Sequence, residues 1–324
     1  MLRVSLIIIG RNEGERLVRC LQSIKTMRFE AGTYEVIYAD SNSDDGSMQR
    51  AKNLGARAYC LDSERPTAAR GRNLGLRHAR APLVFFLDGD TVVAPDFLAR
   101  AVAYLDDHPE VAVVWGHRRE MYPQHSVYNR VLDLDWIYPP GESAFCGGDA
   151  VMRRSVLEEV GPFDPELIAG EEPELCSRIR AAGYKIMHLD VAMTGHDLAM
   201  TRFSGYWRRC FRAGHAYAEV ARHTGGAVFG RDSRRNHLQM AFYVLGPAVV
   251  IFFFRRWSPV VLGGGALLLL LRTVWRARRR GASPATTLLY ALHSHFCHPI
   301  IWLGQMFFHL NLRRRRSSGI IEYK

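Results

Sequence analysis

Asp88 and Asp90, separated only by Gly89, close the apolar run Pro82-Leu83-Val84-Phe85-Phe86-Leu87. A run of that length bounded by Pro and Gly reads as a buried strand. Carboxylates one residue apart at a strand end can reach one hard divalent cation, which prefers oxygen ligands and keeps positions open for water or phosphate. A cation held there can neutralise a diphosphate and help it leave. The same triplet is common in solvated turns, so its surroundings decide its use. A second acidic pair, Glu171-Glu172, follows Gly170 and opens a helix with Leu175, Ile179 and Ala182 on its apolar face. Acids in a first turn are favourable helix electrostatics, and an acid so placed can also serve as a general base.

The elements that must position these groups follow a fixed order. Residues 4–9 form a near-continuous apolar strand that runs into Gly10-Arg11-Asn12-Glu13. A helix follows, with Leu17, Cys20, Leu21 and Ile24 on one face. Residues 35–40 form a second strand ending in Asp40, and residues 57–61 a short third one. A helix carrying Arg70, Arg72 and Asn73 then leads into the strand before Asp88. Strands alternating with helices predict a mostly parallel open α/β sheet flanked by helices. Ligands of such sheets sit at the C-terminal strand ends, where Asn12, Asp40, Arg72 and Asp88 all fall. Asp40 suits the N–H or hydroxyl groups of a nucleotide base or ribose, and the guanidinium groups of Arg70 and Arg72 suit a diphosphate.

In order and spacing these pieces resemble the family 2 glycosyltransferases of the GT-A, Rossmann-like fold, over roughly residues 3–215. The family's "N-E" turn is Asn12-Glu13, and its "D-x-S-x-D-G-S" loop is Asp40 to Ser47 with one extra residue. Its "A-x-x-R-N-x-G" helix is Ala69 to Gly75, its metal motif Asp88-Gly89-Asp90, its "G-G/N-x-x-x-R-R" segment is matched by Gly147 to Arg154, and its "G-E-D" segment by Gly170-Glu171-Glu172. The resemblance implies a nucleotide-sugar donor held by Asn12, Glu13, Asp40, Arg70, Arg72, Asn73, Asp88 and Gly89. It implies Mn²⁺ or Mg²⁺ on Asp90 and Asp88 with His196, and an acceptor beside Gly148 and Asp149. Glu172 takes the place of the family's acceptor-activating Asp, being one methylene longer, so Glu172 or Glu171 is the base. The family's usual Pro-x-Tyr before "N-E" is replaced by Gly10-Arg11.

Charge divides the chain. It carries 43 Lys/Arg and 32 Asp/Glu, for a net charge of +11, yet from Ser233 onward the only acid is Glu322. The part up to Asp232 is therefore close to neutral, which argues against a nucleic-acid-binding surface. The basic tail flanks three apolar stretches, residues 238–254, 257–271 and 286–310. Arg276, Arg278, Arg279, Arg280 and Arg313 to Arg316 around them suit anionic head groups on a cytoplasmic face. The expected organisation is a catalytic domain over 1–232 and a membrane-associated helical hairpin plus interfacial helix over 233–324, with Pro299 kinking the last helix. The first apolar run is too short for a signal peptide, and six scattered cysteines without C-x-x-C fit a reducing compartment. His293, His295, Cys297 and His298 cannot all face one point of a helix, so a polar interfacial face is expected there rather than zinc.

These readings converge on a metal-dependent, inverting transferase at the cytoplasmic face of the inner membrane. It would move a sugar from a nucleoside-diphosphate donor to a lipid-linked or polysaccharide acceptor and contact membrane lipids but no nucleic acid. The rivals are a transferase acting on a soluble acceptor with a packed C-terminal subdomain, a nucleotidyltransferase, and a non-catalytic membrane scaffold. The sequence does not set the oligomeric state.

Overall fold

The computed structural model describes residues 1–30 and 32–314, so Arg315 and Arg316 of the expected basic cluster lie outside the described residues. In chain order the elements are β1 (Val4–Gly10), α1 (Glu15–Lys25), β2 (Tyr34–Asp40), α2 (Ser47–Asn53), β3 (Arg57–Cys60), α3 (Ala68–His78), β4 (Leu83–Asp88) and β5 (Thr91–Val93). Next come α4 (Phe97–Asp107), β6 (Val111–Glu120), α5 (Val127–Asp135), β7 (Gly141–Glu142), β8 (Ala150–Arg153), α6 (Arg154–Val160), α7 (Glu171–Ala181) and β9 (Lys185–His196). The chain continues through α8 (Phe203–His223), α9 (Gly230–Phe254), α10 (Ser258–Arg278) and α11 (Pro284–Arg313).

These elements fall into two compact units. One comprises Met1–Met121 and Trp136–Leu198, and the other comprises Tyr122–Asp135 with the helices from Ala199 onward. The packed division thus differs from the 232/233 boundary read from charge, and α5 and α8 belong to the helical unit.

The first unit is a nine-stranded sheet in the order β3-β2-β1-β4-β8-β6-β9-β5, with β7 on β9. β1, β2, β3 and β4 are mutually parallel, as are β6 and β9. The short strand β8 runs antiparallel between β4 and β6 and joins the two halves. β1 and β4 are buried almost end to end, as a sheet covered on both faces requires. Helix α1 covers one face with Leu17, Cys20, Leu21 and Ile24, the stripe its periodicity predicts. Thr67 caps α3 by accepting the Arg70 backbone N–H.

In the helical unit, Ser283 caps α11 and Pro284 occupies its first turn. α11 runs through Pro299, and a one-turn 3₁₀ segment, Arg255–Trp257, joins α9 to α10. Tyr206 and Cys210 on α8 pack against Cys297 and Ile300 on α11. The histidines of α11 take polar partners. Tyr206 Oη lies 2.6 Å from His293 Nδ1, and His295 meets the hydroxyls of Tyr243 and Thr273.

Candidate active site

The site is made by strand pairing. Phe86 on β4 stands opposite Ala150 on β8, so the next residues outward set Asp88 across from Gly148 and carry Asp149 to the end of β4. Asp149 is fully buried. One carboxylate oxygen accepts the Asp88 backbone N–H at 3.0 Å. The other accepts the Thr194 hydroxyl at 2.7 Å and lies 2.7 Å from His196 Nε2. Burial alone would raise its pKa. The adjoining His196, with help from Arg118 and Thr194, wins and holds it down at about 2. An ionised carboxylate can only accept, so His196 donates to it from Nε2 and turns Nδ1 the other way. That Nδ1 is 3.7 Å from the buried Asp90 carboxylate.

Sequence reading grouped Asp90, Asp88 and His196 as metal ligands and gave Asp149 to the acceptor. The structure brings all four together. Among the described residues, Asp88, Asp149 and His196 form a metal-capable group whose ligand atoms lie within 4.8 Å of one another. The carboxylates suit Mn²⁺ or Mg²⁺, which prefer oxygen ligands. Asp149 also has the arrangement of a carboxylate that orients a metal-binding histidine from behind. A Cβ at Gly89 would be crowded, 3.1 Å from the Ile9 carbonyl oxygen on β1 and 3.0 Å from Glu13 Cγ.

A second cluster adjoins the first. Arg72, only 2 % exposed, reaches Glu171 at 2.6 Å, Asp88 at 3.0 Å and Glu172 at 3.3 Å. Its guanidinium is thus committed to three carboxylates and stacks 5.5 Å from the Phe163 ring. A Cβ at Gly148 would come within 2.6 Å of Arg72 Nη2 and 3.2 Å of Glu172 Oε1, so Gly148 lies where both clusters meet. Partial burial and the charges of Asp149 and Asp90 raise the Asp88 pKa, against the pull of Arg72. The two base candidates differ in setting. The Glu171 side chain is 5 % exposed and tightly paired, whereas that of Glu172 is 18 % exposed and only loosely paired.

The expected donor residues are placed unequally. Asp40 is buried and spent within its own turn, accepting from Tyr38 Oη at 2.8 Å, Ser43 Oγ at 2.6 Å and Ser43 N at 2.7 Å. Asn12 braces the same loop, its amide oxygen accepting the Asp44 N–H at 3.0 Å. Glu13 is buried and pairs with Arg16 at 2.9 Å. Arg70 does not join the Arg72 cluster; it donates to the Glu166 carboxylate, the Ser63 hydroxyl and the Pro165 carbonyl. Asn73 clamps the Phe163 backbone through both ends of its amide. Sequence reading missed Thr194, Arg118 and Trp136. The Arg118 guanidinium lies 4.7 Å over the Trp136 ring, which in turn stands 5.0 Å from that of His196. No local pattern marks them, because Arg118 and Thr194 meet only when β6 pairs with β9, and Trp136 reaches them from the segment after α5.

Residues 5–161 match the family model described as glycosyl transferase family 2. The chain is 26 % identical over 252 residues to the glycosyltransferase AglE of Haloferax volcanii, covering 75 % of this chain and 80 % of that protein. It is also 26 % identical over 239 residues to the pre-mycofactocin glycosyltransferase of Mycobacterium tuberculosis, covering 68 % of this chain but 48 % of that relative. Among solved structures it resembles the mannosyltransferase PcManGT of Pyrobaculum calidifontis, which was solved with GDP-Man and Mn²⁺. The TM-score is 0.61 at 19 % identity, covering 95 % of this chain and 87 % of that one.

Proposed function

This chain is a glycosyltransferase built on a family 2 domain of the GT-A fold, and from that premise we propose that it moves a sugar from a nucleoside-diphosphate donor to an acceptor hydroxyl with inversion. The observation that carries the reading is the meeting of Asp88, Asp90, Asp149 and His196 beside Glu172. Asp90 and His196 would hold Mn²⁺ or Mg²⁺, with Asp88 reaching metal or ribose and Asp149 fixing the histidine ring. The bound cation would supply charge compensation for the leaving diphosphate. A nucleotide sugar and Mn²⁺ are also what the similar Pyrobaculum enzyme holds.

The protein's own groups do the rest. Glu172 faces Gly148 with enough exposure to meet an acceptor and takes its hydroxyl proton. Glu171, held by Arg72, keeps that helix end in place. One base and no enzyme nucleophile imply a single displacement, hence inversion. Asp40, Asn12 and Glu13 would shape the pocket for the nucleoside.

The acceptor we propose is lipid-linked or a growing polysaccharide, met at the cytoplasmic face of the inner membrane. Gly230–Arg278 is the one stretch among the described residues long and apolar enough to cross a membrane, and none of its most apolar window is buried. Phe252, Phe253, Trp257 and Leu268 are each at least 65 % exposed. A packed soluble subdomain would cover such side chains, so this exposure supports insertion into lipid. Salt washing should leave the protein on membranes and detergent should release it.

The deciding experiment screens nucleotide sugars with Mn²⁺ and a membrane lipid extract, then compares Glu172→Gln with Glu171→Gln. Glu172→Gln should lose about a hundred- to ten-thousand-fold in transfer rate while still binding nucleotide. A dead Glu171→Gln beside an active Glu172→Gln would move the base by one residue. Full activity in both would refute general-base catalysis from this helix.

A further inference from the structure

We infer that Arg118 binds a phosphate group of one of the two reactants at the Gly147 edge of the site, an inference that rests on the glycosyltransferase reading. Arg118 lies on β6 opposite Thr194 of β9, two residues before the Glu120–His196 pair. It therefore shares a sheet end with the Asp149–His196 cluster.

Its surroundings fix the guanidinium without using its donors. Arg118 Cζ lies 4.7 Å over the centroid of the buried Trp136 ring, a cation–π contact that anchors the guanidinium. Nε is buried without a hydrogen-bond partner, and among the described residues Arg118 makes no ion pair. Other arginines of the catalytic unit differ: Arg72 serves three carboxylates, Arg153 donates to backbone carbonyls, and Arg178 donates to backbone carbonyls and to Glu174. A planar fork of N–H donors, oriented but unfilled, is suited to a tetrahedral oxyanion that can accept two bonds at once.

Gly147 makes the room. A Cβ there would stand 2.7 Å from Arg118 Nη1 and 3.1 Å from Cζ, so any other residue would push the guanidinium aside. The competing explanation is that Arg118 only offsets the charge of Asp149. That role needs a cation nearby, but neither an indole contact at 4.7 Å nor a clearance at Gly147.

Position favours the acceptor as the source of the phosphate. Gly147 adjoins Gly148, which faces Glu172, the proposed base. An acceptor whose hydroxyl meets Glu172 would bring its own phosphate along this loop, as a lipid-linked sugar phosphate or a polyol phosphate does, and farnesyl phosphate mimics that phosphate-bearing end. The donor diphosphate carries the same chemistry, so the test must separate the two sources.

The test is calorimetry on full-length protein in detergent, with wild type, Arg118→Gln and Arg118→Lys. The probes are farnesyl phosphate, farnesol as its uncharged control, and GDP and UDP with Mn²⁺. The expected result is at least tenfold weaker farnesyl phosphate binding in Arg118→Gln, only partial recovery in Arg118→Lys, and unchanged farnesol and nucleotide binding. The same loss confined to the nucleotides would assign the phosphate to the donor and keep the role of Arg118. Unchanged binding of every probe in both variants, with unchanged melting temperatures, would overturn the inference and leave Arg118 as a counter-charge. Wild type binding neither nucleotide would count against the glycosyltransferase reading itself, separately from Arg118.

Discussion

Replacing Arg72 with Met should destabilise the catalytic unit strongly, for a reason unrelated to substrate. The guanidinium is 2 % exposed and is the shared cation of Glu171, Asp88 and Glu172. Met fills similar space but leaves the buried Glu171 carboxylate without that cation. Removing one partner of a buried ion pair costs about 3–5 kcal/mol, against a total stability of about 5–15 kcal/mol for an ordinary domain. For a unit of this size, about 2–4 °C per kcal/mol translates into a melting temperature roughly 6–20 °C lower. The pH dependence gives a second readout. Without its cation, Glu171 has its folded-state pKa raised by burial. A carboxyl with a raised folded-state pKa adds stability that is present below its unfolded value and lost as pH rises through the folded one. The gap between wild type and variant should therefore narrow from pH 8 to pH 5. Adding Glu171→Gln should recover part of the loss, since the buried charge is then gone. The assay is thermal unfolding by circular dichroism in detergent at both pH values. A variant melting within about 2 °C of wild type at both would refute the idea that Arg72 is a structural counter-ion.

Three further outcomes follow from the same geometry. Asp149→Asn should weaken Mn²⁺ binding about 10- to 100-fold, because an amide no longer holds His196 with its proton on Nε2; a titration showing unchanged affinity would rule out the orienting role. Mn²⁺ binding should release protons near and below the raised Asp88 pKa, with the release fading and affinity rising as pH increases; calorimetry in buffers of different ionisation heat would detect it, and pH-independent binding would contradict it. Gly304→Ala should loosen α11 from α8, since its Cβ would fall 2.0 Å from the Phe211 carbonyl oxygen; overpacking of this kind costs about 1–3 kcal/mol, and an unchanged melting temperature of the helical unit would count against that close packing.

Local chemistry determined a good deal. The apolar runs ending at Gly10, Asp40 and Asp88 are strands because short β-branched and aromatic segments between turn residues have few other ways to bury themselves. Asp88-Gly89-Asp90 and Glu171-Glu172 were legible because each needs only neighbours in sequence. The change in charge at Ser233 was equally visible, as were the apolar tail segments, of which the first two are left exposed while the third packs on α8. Tertiary structure decided the partners. Arg72 reads locally as a diphosphate ligand on a helix face, but folding carries Glu171 to it across 99 residues and buries both. Asp149 reads as an acceptor contact until β8 pairs antiparallel with β4 and delivers it to Asp88 and His196. Arg118 and Trp136 carry no motif at all. A periodic pattern reports which face of an element is buried, whereas the identity of the group across that face depends on strand order and register. Those are set by the whole sheet closing around its core, and no window of sequence contains them.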